Sequence, residues 1–198
     1  MFPNRQLFLA AIQKQVEPNI VHHSLAVEAC MGALYDYLFS TGQLDEAEPS
    51  KEEWLLAGLI HDIDYSGSWK QEHPLKTKEA LSAYDLKIPE RVLTLVQAHA
   101  PERTHVQPVT KAQWALFCMD SLTGLITAVA LIYPSKKLSE VKVSSVTKRF
   151  LKQPNFAAGT RREEVAMCSR PEGLNISLEK FIEICLTAMQ GIASQIGL

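Results

Sequence analysis

The sequence has no Cys-x-x-Cys pair, no long apolar run, no internal repeat and, beyond residue 105, no histidine. Each absence narrows the field. The four cysteines (Cys30, Cys118, Cys168, Cys185) are far apart, and each falls within an apolar helical pattern, so they read as buried thiols and not as a disulfide framework. The longest uninterrupted apolar stretch, Trp54 to Ile60, is far short of the ~18 residues of a membrane span. Residues 1–5 lack the basic start and long apolar middle of an export signal. A cytoplasmic protein with no membrane partner is the resulting expectation. A net charge of −2 and a pI near 6.3 give no reason to expect a nucleic-acid polymer as partner.

What is present suits an ordinary globular domain. At 198 residues and 46% apolar content the chain can build a sizeable core. Its periodicity is helical almost throughout, and no strand is needed. The expected helices run over about Asn4 to Val16, about Asn19 to Phe39, from Ser50 to an exit at Ile63–Gly67, from His73-Pro74 to about Tyr84, and from Pro89 to a stop before Pro101. Further helices are expected over roughly Lys111 to Tyr133, Val143 to Leu151, Phe156 to Cys168, and after Ser177. Two starts carry a capping box, Ser50-Lys51-Glu52-Glu53 and Thr110-Lys111-Ala112-Gln113, in which side chains satisfy the first free N–H groups of the helix.

Several polar side chains fall where periodicity turns a helix inward. His23 lies in the stripe Ile20, Val27, Cys30, Leu34, Leu38, and His61 follows Trp54 and Gly58 into a helix C-terminus, with Asp62 next to it. His99 shares a face with Val92 and Val96. Asp120 shares one with Trp114, Phe117, Gly124, Thr127 and Leu131. A single histidine on such a face is ordinarily a hydrogen-bonded core residue. Asp120 is harder to set aside, because a carboxylate in a core stripe costs several kcal/mol unless paired, protonated or metal-bound. Imidazoles and carboxylates without thiolates suit borderline-to-hard divalent ions.

The order His23, His61-Asp62, Asp120 resembles the H…HD…D pattern of the HD superfamily of metal-dependent phosphohydrolases. Leu59-Ile60-His61-Asp62-Ile63 is close to the superfamily's HDIG branch, except that Asp64 stands where that branch usually has glycine, and His23-Ser24-Leu25-Ala26-Val27 fits its first-ligand helix. The resemblance spans about residues 20–130. It implies an all-α helical bundle with extra C-terminal helices in 136–198, packed as one domain over 1–198. It also implies that His73 and His99 complete a dinuclear set. One ion would be held by His23, His61, Asp62 and Asp120, and a second by Asp62, His73 and His99. His61 and Asp62 form the catalytic centre of this reading, while His22 and His105 are left as ordinary residues.

Two ions ~3.5 to 4 Å apart make hydroxide available near neutral pH and polarise a phosphoryl oxygen. The expected activity is hydrolysis of a small phosphoester of the nucleotide mono- or diester class, with Fe, Mn, Co, Ni, Mg or Zn as cofactor. Residues 136–170 carry nine basic and three acidic side chains, net +6. Within them Lys148, Arg149, Arg161 and Arg162 are the expected substrate-binding cations, against the ordinary reading of a solvated basic face. The same ligand order also resembles HD-fold di-iron oxygenases of polyols or phosphonates. A non-catalytic HD module, serving as a binding or regulatory platform, is the third alternative.

Overall fold

Ser50 and Thr110 open helices as their sequences predict. In the computed structural model, which describes residues 4–198, the Ser50 and Thr110 side chains each accept from the backbone three residues on, and Glu53 and Gln113 reach back in return. Glu48 adds a second cap to the Thr110 helix, its two oxygens accepting from Lys111 N and Ala112 N at 2.6 and 3.1 Å. A carboxylate is favoured there because the free N–H groups of a helix start carry partial positive charge.

The helices in chain order are α1 (Arg5–Gln15), α2 (Pro18–Ser40), α3 (Lys51–Ile60), α4 (Thr77–Ser82), α5 (Glu90–Gln97), α6 (Pro101–Thr104), α7 (Lys111–Leu131), α8 (Val143–Lys152), α9 (Arg162–Ala166) and α10 (Leu178–Gly191), with short 3₁₀ turns between some of them. No strand occurs among the described residues, so the fold is all-α. α2 is the axis, packing on α3, α7 and α10 together, and α7 also meets α5, α8 and α9. The C-terminal helices are thus part of the core: Phe181, Cys185 and Met189 are fully buried on the α2–α7 pair. All four cysteines are buried and free.

α7 is long and apolar enough by composition to cross a membrane, with mean hydropathy 1.6, a property that the seven-residue run in α3 does not convey. Its apolar side chains, Leu116, Met119, Leu122, Ile126 and Val129 among them, are spent on the protein's own core.

Three expectations from periodicity are corrected. The helix expected from His73-Pro74 begins at Thr77, because residues 73–76 form a turn in which the buried Asp64 carboxylate accepts the Lys76 N–H. The helix expected from Phe156 begins at Arg162, because the Arg162 guanidinium binds the carbonyls of Phe150, Gln153 and Phe156 and holds the preceding residues as turns. The Asp120 stripe is not core along its length, since Gly124 and Leu131 are exposed. It runs along the border between core and a cleft.

Candidate metal centre

Five segments bring four histidines and two aspartates to one place. α2 carries His23, the C-terminal exit of α3 carries His61 and Asp62, the turn before α4 carries His73, the residue pair after α5 carries His99, and α7 carries Asp120. Two overlapping groups, His23–His61–Asp62 and Asp62–His73–His99, each place their donor atoms within 4.8 Å of one another. His23 Nε2 lies 3.1 Å from His61 Nε2, 3.6 Å from Asp62 Oδ2 and 3.0 Å from Asp120 Oδ1. His61 Nε2 is 3.6 and 3.8 Å from the same two oxygens. The other carboxylate oxygen of Asp62 faces the second group, at 3.3 Å from His73 Nε2, which in turn is 3.2 Å from His99 Nε2. Asp62 therefore presents one oxygen to each group.

The hydrogen positions follow from what the far side of each ring touches. His61 Nδ1 donates to Gly58 O at 2.8 Å and His99 Nδ1 to Val96 O at 2.5 Å, and a carbonyl can only accept. His73 Nδ1 donates to Asp64 Oδ1 at 2.7 Å. His23 Nδ1 meets the Thr123 hydroxyl at 3.1 Å, and that hydroxyl gives its own proton to Asp120 O at 2.9 Å, so the ring again donates. In each neutral imidazole the Nε2 lone pair is then bare and aimed inward. Lone pairs 3.1 and 3.2 Å apart repel unless something positive lies between them.

This fits divalent ions. Ligand bonds of about 2.0–2.2 Å put neighbouring donors on one ion roughly 3.0–3.6 Å apart, a range that holds these spacings apart from His61 Nε2 to Asp120 Oδ1 at 3.8 Å. Oxygen partners on the outer nitrogen are also how metal-bound histidines are commonly oriented. The charges agree as well. Burial pushes the His61 pKa down, yet the Asp62 and Asp120 carboxylates outweigh it and raise it to about 9. Asp62 and Asp120 are pushed up by burial, but the surrounding imidazoles hold both below the usual carboxylate range. Burial, with His61 nearby, drives His99 down to about 4. The pocket favours a cation, and in its absence a proton on His61 supplies one.

Asp64 settles into a definite role. It is fully buried, one oxygen accepting from His73 and the other from Lys76 N at 2.9 Å. The position where the chain departs from the HDIG pattern orients an imidazole. His22 and His105 are exposed and outside the cluster, and His105 caps α6 in the left-handed region at φ 60°.

Five of the six, all but the fully buried His61, form the floor of a cleft of about 580 Å³. Of the four cations expected to bind substrate, Arg161 lines it, donating from Nη2 to Asp120 Oδ2 at 2.6 Å and from Nε to Ser121 Oγ at 3.3 Å. Lys148, Arg149 and Arg162 are not in its lining. Lys148 is exposed on α8, Arg149 donates to Ser145 O and stacks on Phe156, and Arg162 is spent on three carbonyls. Arg103, Glu102 and Tyr65 line the cleft without having been singled out in the sequence. Tyr65, three residues past Asp62, stands edge-on to His73 with ring centroids 5.0 Å apart. Thr123 lies outside the Asp120 stripe of α7, although its spacing of three from Asp120 places both at the same ring.

The chain matches no protein-family profile, no curated protein and no solved structure.

Proposed function

We propose that this protein is a divalent-metal-dependent phosphohydrolase acting on a small phosphoester. His23, His61, Asp62 and Asp120 would hold one ion, and Asp62, His73 and His99 a second. The observation that carries this reading is the split of the Asp62 carboxylate, one oxygen facing each set of converging Nε2 atoms. When bound, such ions supply an activated water near neutral pH and polarise a phosphoryl oxygen.

The protein's own groups do the rest. Gly58 O, Val96 O, Asp64 and Thr123 fix the four imidazoles so that their Nε2 atoms face the proposed ions and are in place before substrate arrives. Such preorganisation removes a reorganisation cost from the reaction itself. Arg161 keeps Asp120 turned with one oxygen toward His23 and offers positive charge at the cleft wall. Small residues, Ala100, Gly124 and Gly159 among them, leave the space above the floor open to a substrate of nucleotide size.

Protein loaded anaerobically with Mn²⁺, Fe²⁺ or Co²⁺ is expected to release phosphate or alcohol from a panel of phosphomonoesters and diesters without consuming O₂. Absence of release with every metal, or turnover that requires O₂ and iron, would sink this reading.

A further inference from the structure

We propose that the outer edge of Arg161 is an anion subsite which Glu102 occupies until a substrate phosphate displaces it, a proposal that rests on the phosphohydrolase reading. The two edges of this guanidinium are held very differently. Nη2 makes a 2.6 Å charge-assisted hydrogen bond to Asp120 Oδ2, whose side chain is 17% exposed. Nε lies 3.0 Å from Glu164 Oε2, without the angle of a hydrogen bond, and 3.3 Å from Ser121 Oγ. Nη1 faces Glu102 Oε1 at 3.7 Å, too far for a hydrogen bond, and that carboxylate is 58% exposed. Exposed ion pairs of this kind are weak and screened by salt, whereas the Asp120 contact is neither.

The chemistry of the loose edge selects the ligand. A guanidinium edge presents N–H donors in a fork that matches two oxygens of a phosphate, and a phosphate there gains the contacts that the distant carboxylate does not make. Both Glu102 and Arg161 line the cleft above the ligand cluster, so an anion seated between them lies beside the proposed ions. Arg103 follows Glu102 on α6 and lines the same cleft, its Nη2 donating to Gln71 O, so a fixed positive charge remains when Glu102 swings out. Asp120 and Glu164 also face Arg161 and oppose an anion unless ions are in place. Phosphate is therefore expected to bind the Mn²⁺-loaded chain and not the metal-free one.

The test is calorimetric titration of inorganic phosphate into the full chain saturated with Mn²⁺. Glu102→Gln should tighten phosphate binding about 2- to 5-fold, the worth of removing one weak competing ion pair. Glu102 has no other side-chain partner among the described residues, so this variant tests the idea without disturbing the fold. Arg161→Lys should weaken phosphate binding and, combined with Glu102→Gln, erase the gain. An unchanged or weaker affinity in Glu102→Gln, with Mn²⁺ bound normally, overturns the subsite and leaves the phosphohydrolase reading standing. Failure of the natural protein to take up any of Mn²⁺, Fe²⁺ and Co²⁺ overturns both.

Discussion

Replacing Asp64 by asparagine isolates one contact of the proposed centre. The side chain keeps its size, but it offers one acceptor oxygen and one NH₂ where the carboxylate offers two acceptors. Asp64 serves two donors, His73 Nδ1–H at 2.7 Å and Lys76 N–H at 2.9 Å, and it is fully buried. One of them must then face an N–H. The Lys76 N–H can only donate, so the amide oxygen stays there, and the His73 ring is driven to the tautomer with its proton on Nε2, the atom that points at Asp62 and His99. A buried donor without its acceptor costs about 1–3 kcal/mol. At tenfold per 1.4 kcal/mol this is roughly 5- to 150-fold, in line with the 10–100-fold lost when the outer partner of a metal-bound histidine is removed. Calorimetric titration of Mn²⁺ into Asp64→Asn should show the site of Asp62, His73 and His99 weakened by about 10- to 100-fold. The site of His23, His61 and Asp120 should change far less. Two Mn²⁺ bound with unaltered affinity would refute the orienting role of Asp64.

Other outcomes are also expected. In metal-free protein, His61 has a folded pKa raised from 6.5 to about 9, so its stabilisation is complete below pH 6.5 and is lost as pH rises through 9. His99 is shifted the other way, from 6.5 to about 4, so its contribution is complete above pH 6.5 and is lost as pH falls toward 4. Denaturant melts of metal-free protein should therefore be most stable, as far as these two residues decide it, near pH 6.5, and saturating Mn²⁺ should abolish the alkaline loss because binding needs a bare Nε2. Gly58→Ala would place a Cβ 3.0 Å from Glu28 Cα on α2, and should cost about 1–3 kcal/mol in a urea melt as well as shift the carbonyl that holds His61. Thr123→Val removes the acceptor of His23 Nδ1 and should weaken Mn²⁺ binding by about 10-fold or more while leaving helix content unchanged.

What could be read from the chain was local or periodic. Ser50 and Thr110 announced their helices because a capping box lies within four residues, and the stripes of α2 and α3 placed His23 and His61 on inward faces because helical spacing alone decides that. The start of α4 was not legible, since its position depends on Asp64, twelve residues before Lys76. Nor was the partner of Asp120. Lys111 is the nearest base in sequence, but the carboxylate meets Arg161, 41 residues away, across a packing of α9 on α7 that no spacing rule conveys. Asp64 itself stood in the motif, yet only the fold shows that it faces His73. The basic segment illustrates the remaining limit: composition marked Arg149, Arg161 and Arg162 alike, while packing spends two of them on carbonyls and a ring and leaves one in the cleft.

The central claim is that Asp62 is shared between two ions, and it is tested most directly by metal content and spectroscopy of one sample. Anaerobically prepared protein titrated with Mn²⁺ should bind two ions per chain and give the EPR signature of an exchange-coupled pair, and Asp62→Ala should lose that coupling. A stoichiometry below two, or two ions that remain magnetically isolated, would contradict it.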